Sequence, residues 1–188
     1  IIFRGTQRTI EWVLNINAIY PTKTKVSSLS AGTIHPGFSK IYSNLSAQTL
    51  EIAKKLNPSV PCYISGHSLG AAIATLAAID IAVNVPQLKK QVQLYTYASP
   101  RVGDPVFAKE HNRSIPNSYR VVNLADAITL VPFTLLFKTE YVHVGEQWAF
   151  LAQNGDVMPN HVVDTYKGAI DKQVETNKPR NYPNSGIK

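Results

Sequence analysis

The chain has 188 residues, 44% of them hydrophobic, which is enough to bury one substantial core, and no composition shift marks a second domain. Its formal charge of +7 comes from 19 basic and 12 acidic residues, concentrated only at Lys54-Lys55, Lys89-Lys90 and 178–188, a scattered solvated surface that argues against a nucleic-acid partner. The single Cys62 excludes an internal disulfide, and the longest apolar stretch, 71–83, contains Asp80 and falls short of the roughly 20 residues of a transmembrane helix.

The chain begins Ile1-Ile2-Phe3 without a methionine and already inside a strand pattern, so an upstream segment is expected to be removed or missing. Residues 1–4 are expected to form a strand ending at Gly5-Thr6. A short helical period over 9–17 carries Ile10, Val13, Leu14 and Ile16, and 21–31 reads as a polar loop. A longer helical period spans 37–56 and stops at Asn57-Pro58. Residues 59–65 form an apolar strand in which Cys62 reads as an inert buried thiol, and the Ala-rich stretch 71–83 is a core helix.

Between that strand and that helix stands Gly66-His67-Ser68-Leu69-Gly70. A serine at a sharp strand-to-helix turn is held in a strained backbone that pushes its Oγ out of the sheet, and small residues two positions away on each side let strand and helix approach. Ser68 is therefore expected to be an acyl-transfer nucleophile. Further along, 91–97 alternates as a strand, 105–111 fits a short helix, and 118–123 is another β-rich run. Residues 141–144 and 147–152 are expected to form a last strand pair around Gly145-Glu146. After the turn Asn154-Gly155-Asp156, the final helix is expected over 161–174, and the tail 177–188 is expected to lack fixed structure, leaving one domain over 1–176. Strands alternating with helices argue for an α/β domain with a mostly parallel central sheet and helices on both faces.

A serine hydroxyl needs a histidine to take its proton and a carboxylate to fix that imidazole. In chains of this architecture the order is Ser, acid, His, each on a loop after a later strand. Asp126 follows the strand 119–123 and is the expected acid; Asp104 looks more like a helix N-cap. His35 precedes the nucleophile, His67 is expected to point away from Ser68, His111 ends a helix, and His143 lies in an alternating strand where a hydrogen-bonded structural imidazole is the ordinary outcome. That leaves His161, expected to open the final helix, as the base. The oxyanion needs two pre-aimed donors: the Leu69 N–H after the nucleophile, and one from the Gly5-Thr6 strand end. Thr6 also suits a helix N-cap.

With these residues assembled, the chain resembles the class 3, fungal-type lipases of the α/β-hydrolase superfamily. Phe3-Arg4-Gly5-Thr6 resembles the family's oxyanion strand end. Ile34-His35-Pro36-Gly37-Phe38 with Tyr42 is similar to its H-x-G-F helix entry, and Gly66 to Gly70 to its elbow. Tyr97-Ala98-Ser99-Pro100-Arg101-Val102-Gly103, the stretch from Asp126 through Pro132, and Tyr141-Val142-His143-Val144-Gly145 match its later segments. The resemblance implies an α/β-hydrolase fold whose family N-terminal strands are absent from this chain. It places the base downstream of the H-x-G strand and before an aromatic, as Asn160-His161 and Tyr166 are, and makes Thr6 and Leu69 the oxyanion residues. It puts a lid at Thr9 to Ile16, where Ile10, Trp12, Val13 and Leu14 offer the excess apolar surface that a mobile cover over an acyl groove requires. Leu130, Val131 and Phe133, unusually apolar beside a catalytic acid, are expected to line the acyl site or pack under it.

The implied activity is a triacylglycerol lipase acting at an oil–water or membrane interface, with no metal or organic cofactor. A phospholipase A1, galactolipase or feruloyl-type esterase would share the same core residues, because substrate choice lies in the lid and acyl-site loops. A non-catalytic lipid-binding relative of the fold is the alternative from another class. The family resemblance leans toward a secreted protein, although no signal peptide is visible.

Overall fold

The computed structural model describes residues 1–6, 32–132, 135–136 and 139–176. The expected lid helix with Ile10, Trp12, Val13 and Leu14, the loop 21–31, Phe133 and the tail 177–188 lie outside the described residues.

Five parallel strands form the central sheet: β1 (Ile2–Phe3), β2 (Cys62–His67), β3 (Val92–Tyr97), β4 (Ser118–Asn123) and, at the far edge, a strand at Glu146–Phe150. Between β4 and that edge strand a small antiparallel pair forms, β5 (Leu135–Leu136) with β6 (Thr139–Glu140), so the edge strand is β7. The helices are α1 (Pro36–Ser43), α2 (Ser46–Lys54), α3 (Leu69–Asn84), α4 (Pro105–Ser114), α5 (Val157–His161) and α6 (Val163–Thr176).

Side-chain alternation divides the sheet into two faces. On β3, Val92, Leu94 and Thr96 are buried, while Gln93, Tyr95 and Tyr97 are half-buried on the other side. The first set meets α3, an Ala- and Ile-rich helix buried nearly all round because α1 and α2 cover its outer side. Asp80, at 0% exposure in the middle of this helix, is kept there by donors: the Tyr42 and Ser46 hydroxyls both reach its Oδ2 at 2.7 Å, and Asn84 Nδ2 reaches Oδ1 at 2.8 Å. Cys62, 6% exposed, belongs to the same core, and burial raises its thiol pKa. On the opposite face Tyr97, Val121, Trp148 and Phe150 pack with Tyr166 and Ile170 of α6, which makes this a sheet with helices on both faces.

Three elements differ from the sequence expectation. The single helix over 37–56 is two, because the chain tightens at Asn44-Leu45, where Leu45 N–H bonds Tyr42 O at 2.8 Å; the apolar period runs on because both helices lie against α3. The strand pair at 141–152 does not form: Val142 makes one antiparallel bridge, to Gly103, while β7 pairs parallel with β4. Gly145, at φ +79°, redirects the chain there so closely against Ser118 that a Cβ would stand 2.6 Å from its Oγ. His161 closes the short helix α5 rather than opening the final one, since Val162 is extended and separates α5 from α6.

His111 is wholly buried on α4 against Phe107, and burial lowers its pKa from 6.5 to about 4. His67 and His143 are lowered to about 4 and about 3, mainly by burial, with the neighbouring His161 and Arg120 charges acting the same way. The unfolded chain therefore binds more protons than the folded one below pH 6.5, so this stabilisation is complete above that pH and is lost on descent through about 4. The His111 contribution alone is about 3 kcal/mol. Thermal melts should give a clearly lower Tm at pH 4.5 than at pH 7.5; equal values would contradict the buried neutral imidazoles.

Candidate active site

The turn between β2 and α3 is built from backbone contacts that only glycines permit. A Cβ on Gly66 would stand 2.2 Å from Gly70 O, and one on Gly70 would stand 2.2 Å from Phe3 O. The neighbouring atoms are backbone and cannot yield, so Gly70→Ala is expected to cost about 3 kcal/mol. A denaturant titration in which this variant matched the wild type would refute the close approach. Between these glycines Ser68 takes φ 59° and ψ −128°, a left-handed conformation that costs a non-glycine residue about 1–3 kcal/mol. Its N–H is tied to Tyr97 O at 3.0 Å, which fixes the turn to the end of β3. Leu69 begins α3, so its N–H is one of the helix's unpaired N-terminal donors. Gly5 sits against the same turn, where a Cβ would meet His67 O at 2.8 Å and Ser68 Cβ at 3.5 Å, and Thr6 lines a cavity together with Gly66 and His67.

Three segments meet at Ser68. Asp126 follows β4 and caps a 3₁₀ turn, Ala127–Leu130, its Oδ1 accepting the Ile128 N–H at 3.0 Å. His161, at the end of α5, places Nδ1 2.8 Å from Asp126 Oδ2 and Nε2 2.8 Å from Ser68 Oγ. Since a carboxylate only accepts, Nδ1 carries the proton and the Nε2 lone pair faces the Ser68 hydroxyl. All three residues are buried, at 2%, 1% and 1% exposure for Ser68, Asp126 and His161. This continuous O–H···N, N–H···O chain can withdraw a proton from the serine and steady the imidazolium that results.

Three residues to which the sequence analysis assigns no bonding role hold this chain in place. The Tyr166 hydroxyl donates to Asp126 Oδ2 at 2.7 Å and accepts the Asn123 N–H at 3.1 Å; burial and the Asp126 charge push its pKa far up, so it remains a donor. Asn123, at the end of β4, donates through Nδ2 to Ala152 O at 2.8 Å and Asn160 O at 3.0 Å, joining the acid's strand to the helix that carries His161. Arg101 donates to Leu130 O and to Pro132 O, pinning the far end of the acid loop. Their sequence signal is slight: an aromatic at 166 shortly after His161, and an Asn at the end of the strand pattern 118–123.

The other expected residues fall into place as follows. Asp104 caps α4, accepting the Phe107 N–H and the Thr33 N–H, each at 2.8 Å. His143 lies outside the named strands, so the strand expected there is not found; its ring is buried and hydrogen-bonded to the Thr129 backbone, while its Nδ1 has no hydrogen-bond partner among the described residues. Val131 is buried at 4% exposure, whereas Leu130 is 51% exposed. His67 stands beside the base: its Nε2 bonds His161 O at 2.7 Å, and its ring lies 4.8 Å from the His161 ring. Among the described residues no cluster of three His, Cys, Asp or Glu side chains is arranged to hold a metal, and no helix is long and apolar enough to cross a membrane.

Residues 1–136 match the family described as lipase (class 3). The chain is 34% identical over 161 residues to phospholipase A(1) DAD1, chloroplastic, of Arabidopsis thaliana, covering 77% of this chain and 36% of that protein. It is 33% identical over 136 residues to secreted mono- and diacylglycerol lipase 1 of Fusarium solani, covering 69% and 38%. Among solved structures it is similar to a triacylglycerol lipase whose catalytic centre is described as a serine protease triad, with TM-score 0.66 and 28% identity, covering 78% of this chain and 55% of that one. The fold is that of the α/β-hydrolases. The chain spans between about a third and a half of the length of the curated relatives it matches, 36% and 38% for the two above.

Proposed function

This chain belongs to the class 3 lipase family, and we propose that it is a serine hydrolase that cleaves carboxylic ester bonds of lipids, with Ser68 as nucleophile, His161 as base and then acid, and Asp126 orienting the imidazole. The observation that carries this reading is the buried chain from Ser68 Oγ through His161 to Asp126, two contacts of 2.8 Å each. Ser68 Oγ attacks the ester carbonyl carbon as its proton passes to His161 Nε2, and the charge on the imidazolium is balanced by Asp126. The tetrahedral oxyanion is held by the Leu69 N–H and by Thr6. Collapse expels the alcohol, which takes the proton from His161, and leaves an acyl group on Ser68. Water, deprotonated by the same imidazole, repeats the sequence and releases the fatty acid.

Triacylglycerol is the proposed substrate, supported by the similar triacylglycerol lipase structure and by the exposed, apolar Leu130 four positions after the acid. The apolar segment with Ile10, Trp12, Val13 and Leu14 is proposed as the lid, and Leu130, Val131 and Phe133 as the acyl side of the site. The similarity to a plant phospholipase A(1) favours a second reading, hydrolysis of a phospholipid at a glycerol ester. A panel of emulsified triacylglycerol, phosphatidylcholine vesicles and soluble p-nitrophenyl esters tests both. The lipase reading expects triacylglycerol turnover that rises sharply once substrate exceeds its solubility. Turnover of phospholipid alone would shift the assignment to the second reading, and full activity on soluble esters with no rise at the interface would remove the lid.

A further inference from the structure

The contact between His67 and His161 joins two parts of the site that are otherwise distant in the chain. His161 is the last residue of the five-residue α5, too short to be stable alone, and its carbonyl is one of the helix's unpaired C-terminal acceptors. His67 Nε2 meets that carbonyl at 2.7 Å, and a carbonyl oxygen only accepts, so Nε2 carries the proton. The two imidazoles stand 4.8 Å apart at 46°, and the Tyr166 ring meets His67 edge-on at 5.7 Å. His67 is also the residue directly before Ser68, with the two Cα atoms about 3.8 Å apart across one peptide. The elbow that presents the nucleophile thus grips the backbone of the base.

We propose that His67 is a positioning residue for the reaction: by donating Nε2–H to the His161 carbonyl and packing on the His161 ring, it sets the base at a fixed distance from Ser68 Oγ. The inference rests on the serine-hydrolase reading above. Asp126 fixes one edge of the His161 ring, and Asn123 ties the neighbouring Asn160 carbonyl to the acid's strand, but neither links the base to the elbow. The His67 contact makes that link, because it joins the residue before the nucleophile to the backbone of the base. A neutral imidazole suits this place: its own charge, so close to His161, would oppose the imidazolium that forms there, and burial together with His161 keeps the His67 pKa down at about 4.

Two substitutions in the full chain separate the hydrogen bond from the ring. His67→Phe keeps an aromatic face and loses the donor; His67→Gln keeps an amide donor and loses the ring. On a soluble p-nitrophenyl ester, His67→Phe is expected to lower kcat about 30-fold with KM within about twofold, since misplacing a catalytic group by an ångström costs up to about 100-fold. His67→Gln is expected to recover kcat to within about threefold of wild type, and rates of fluorophosphonate inactivation should follow kcat. A folded Phe variant with wild-type kcat, or a folded Gln variant as impaired as Phe, would overturn the proposal. Imidazole ¹⁵N spectra of the wild type, which need no variant to fold, should show His67 as the neutral Nε2–H tautomer between pH 6 and 8; an Nδ1–H tautomer would overturn it. A wild-type chain that neither cleaves esters nor takes the label would overturn the hydrolase reading, and the inference with it.

Discussion

Replacing Ser68 with alanine is expected to lower kcat on any ester substrate by about 10⁶-fold, about 8 kcal/mol of transition-state stabilisation, while KM changes little. The magnitude follows from the chemistry of the site. Without Oγ no acyl-enzyme can form, and His161 and Asp126 have no hydroxyl to activate; what remains is the oxyanion donors and the binding of substrate. The side chain of Ser68 makes its hydrogen bond to His161 Nε2, whereas the turn is held by the Ser68 N–H on Tyr97 O and by the glycine contacts. Alanine therefore leaves the fold intact, and Tm should stay within a few degrees of wild type. A Ser68→Ala chain that hydrolyses ester within tenfold of wild type would remove the nucleophile from the account.

The second large effect is expected at the acid. Asp126→Asn should reduce kcat by about 10⁴-fold near neutral pH, about 5 kcal/mol, with the protein still folded. The carboxylate accepts from His161 Nδ1 and Tyr166 Oη on one oxygen and from Ile128 N–H on the other. An amide of the same shape can keep the bond to Ile128, but its NH₂ then faces either the Tyr166 hydroxyl or His161 Nδ1. Donation to Nδ1 forces the imidazole proton onto Nε2, where it points at Ser68 and leaves no lone pair to take the serine proton. The loss should fall on kcat, because the change alters the tautomer and not the binding of substrate. Matched kcat values for wild type and Asp126→Asn would show that the carboxylate does not orient the base.

Ser68, Asp126 and His161 were legible because each sits at a local break in pattern. The elbow is a five-residue unit in which a Cβ on Gly66 would stand 2.2 Å from Gly70 O, so part of its glycine requirement arises within the unit itself. Asp126 comes three positions after the end of a well-marked strand, and His161 a few positions after the polar turn Asn154-Gly155-Asp156. The His67 contact is not legible in the sequence because its partner is a backbone carbonyl 94 positions away, which no local pattern encodes. Tyr166 was seen as an aromatic of the right place, but its hydroxyl bond to Asp126 spans 40 positions. The helix break at Asn44-Leu45 was hidden for the opposite reason: the apolar period continues through it, so the hydrophobic pattern reports the shared face on α3 and not the change in backbone. At 141–144 the alternation of a strand was present, but its partner is the loop at Gly103 and not β7.

The activated hydroxyl of Ser68 is most directly tested by treating the wild-type protein and Ser68→Ala with a fluorophosphonate and mapping the adduct by peptide mass. The account predicts one phosphonyl group per wild-type chain, located on Ser68, and none on the variant. Equal labelling of the two proteins, or an adduct confined to another residue, would contradict it.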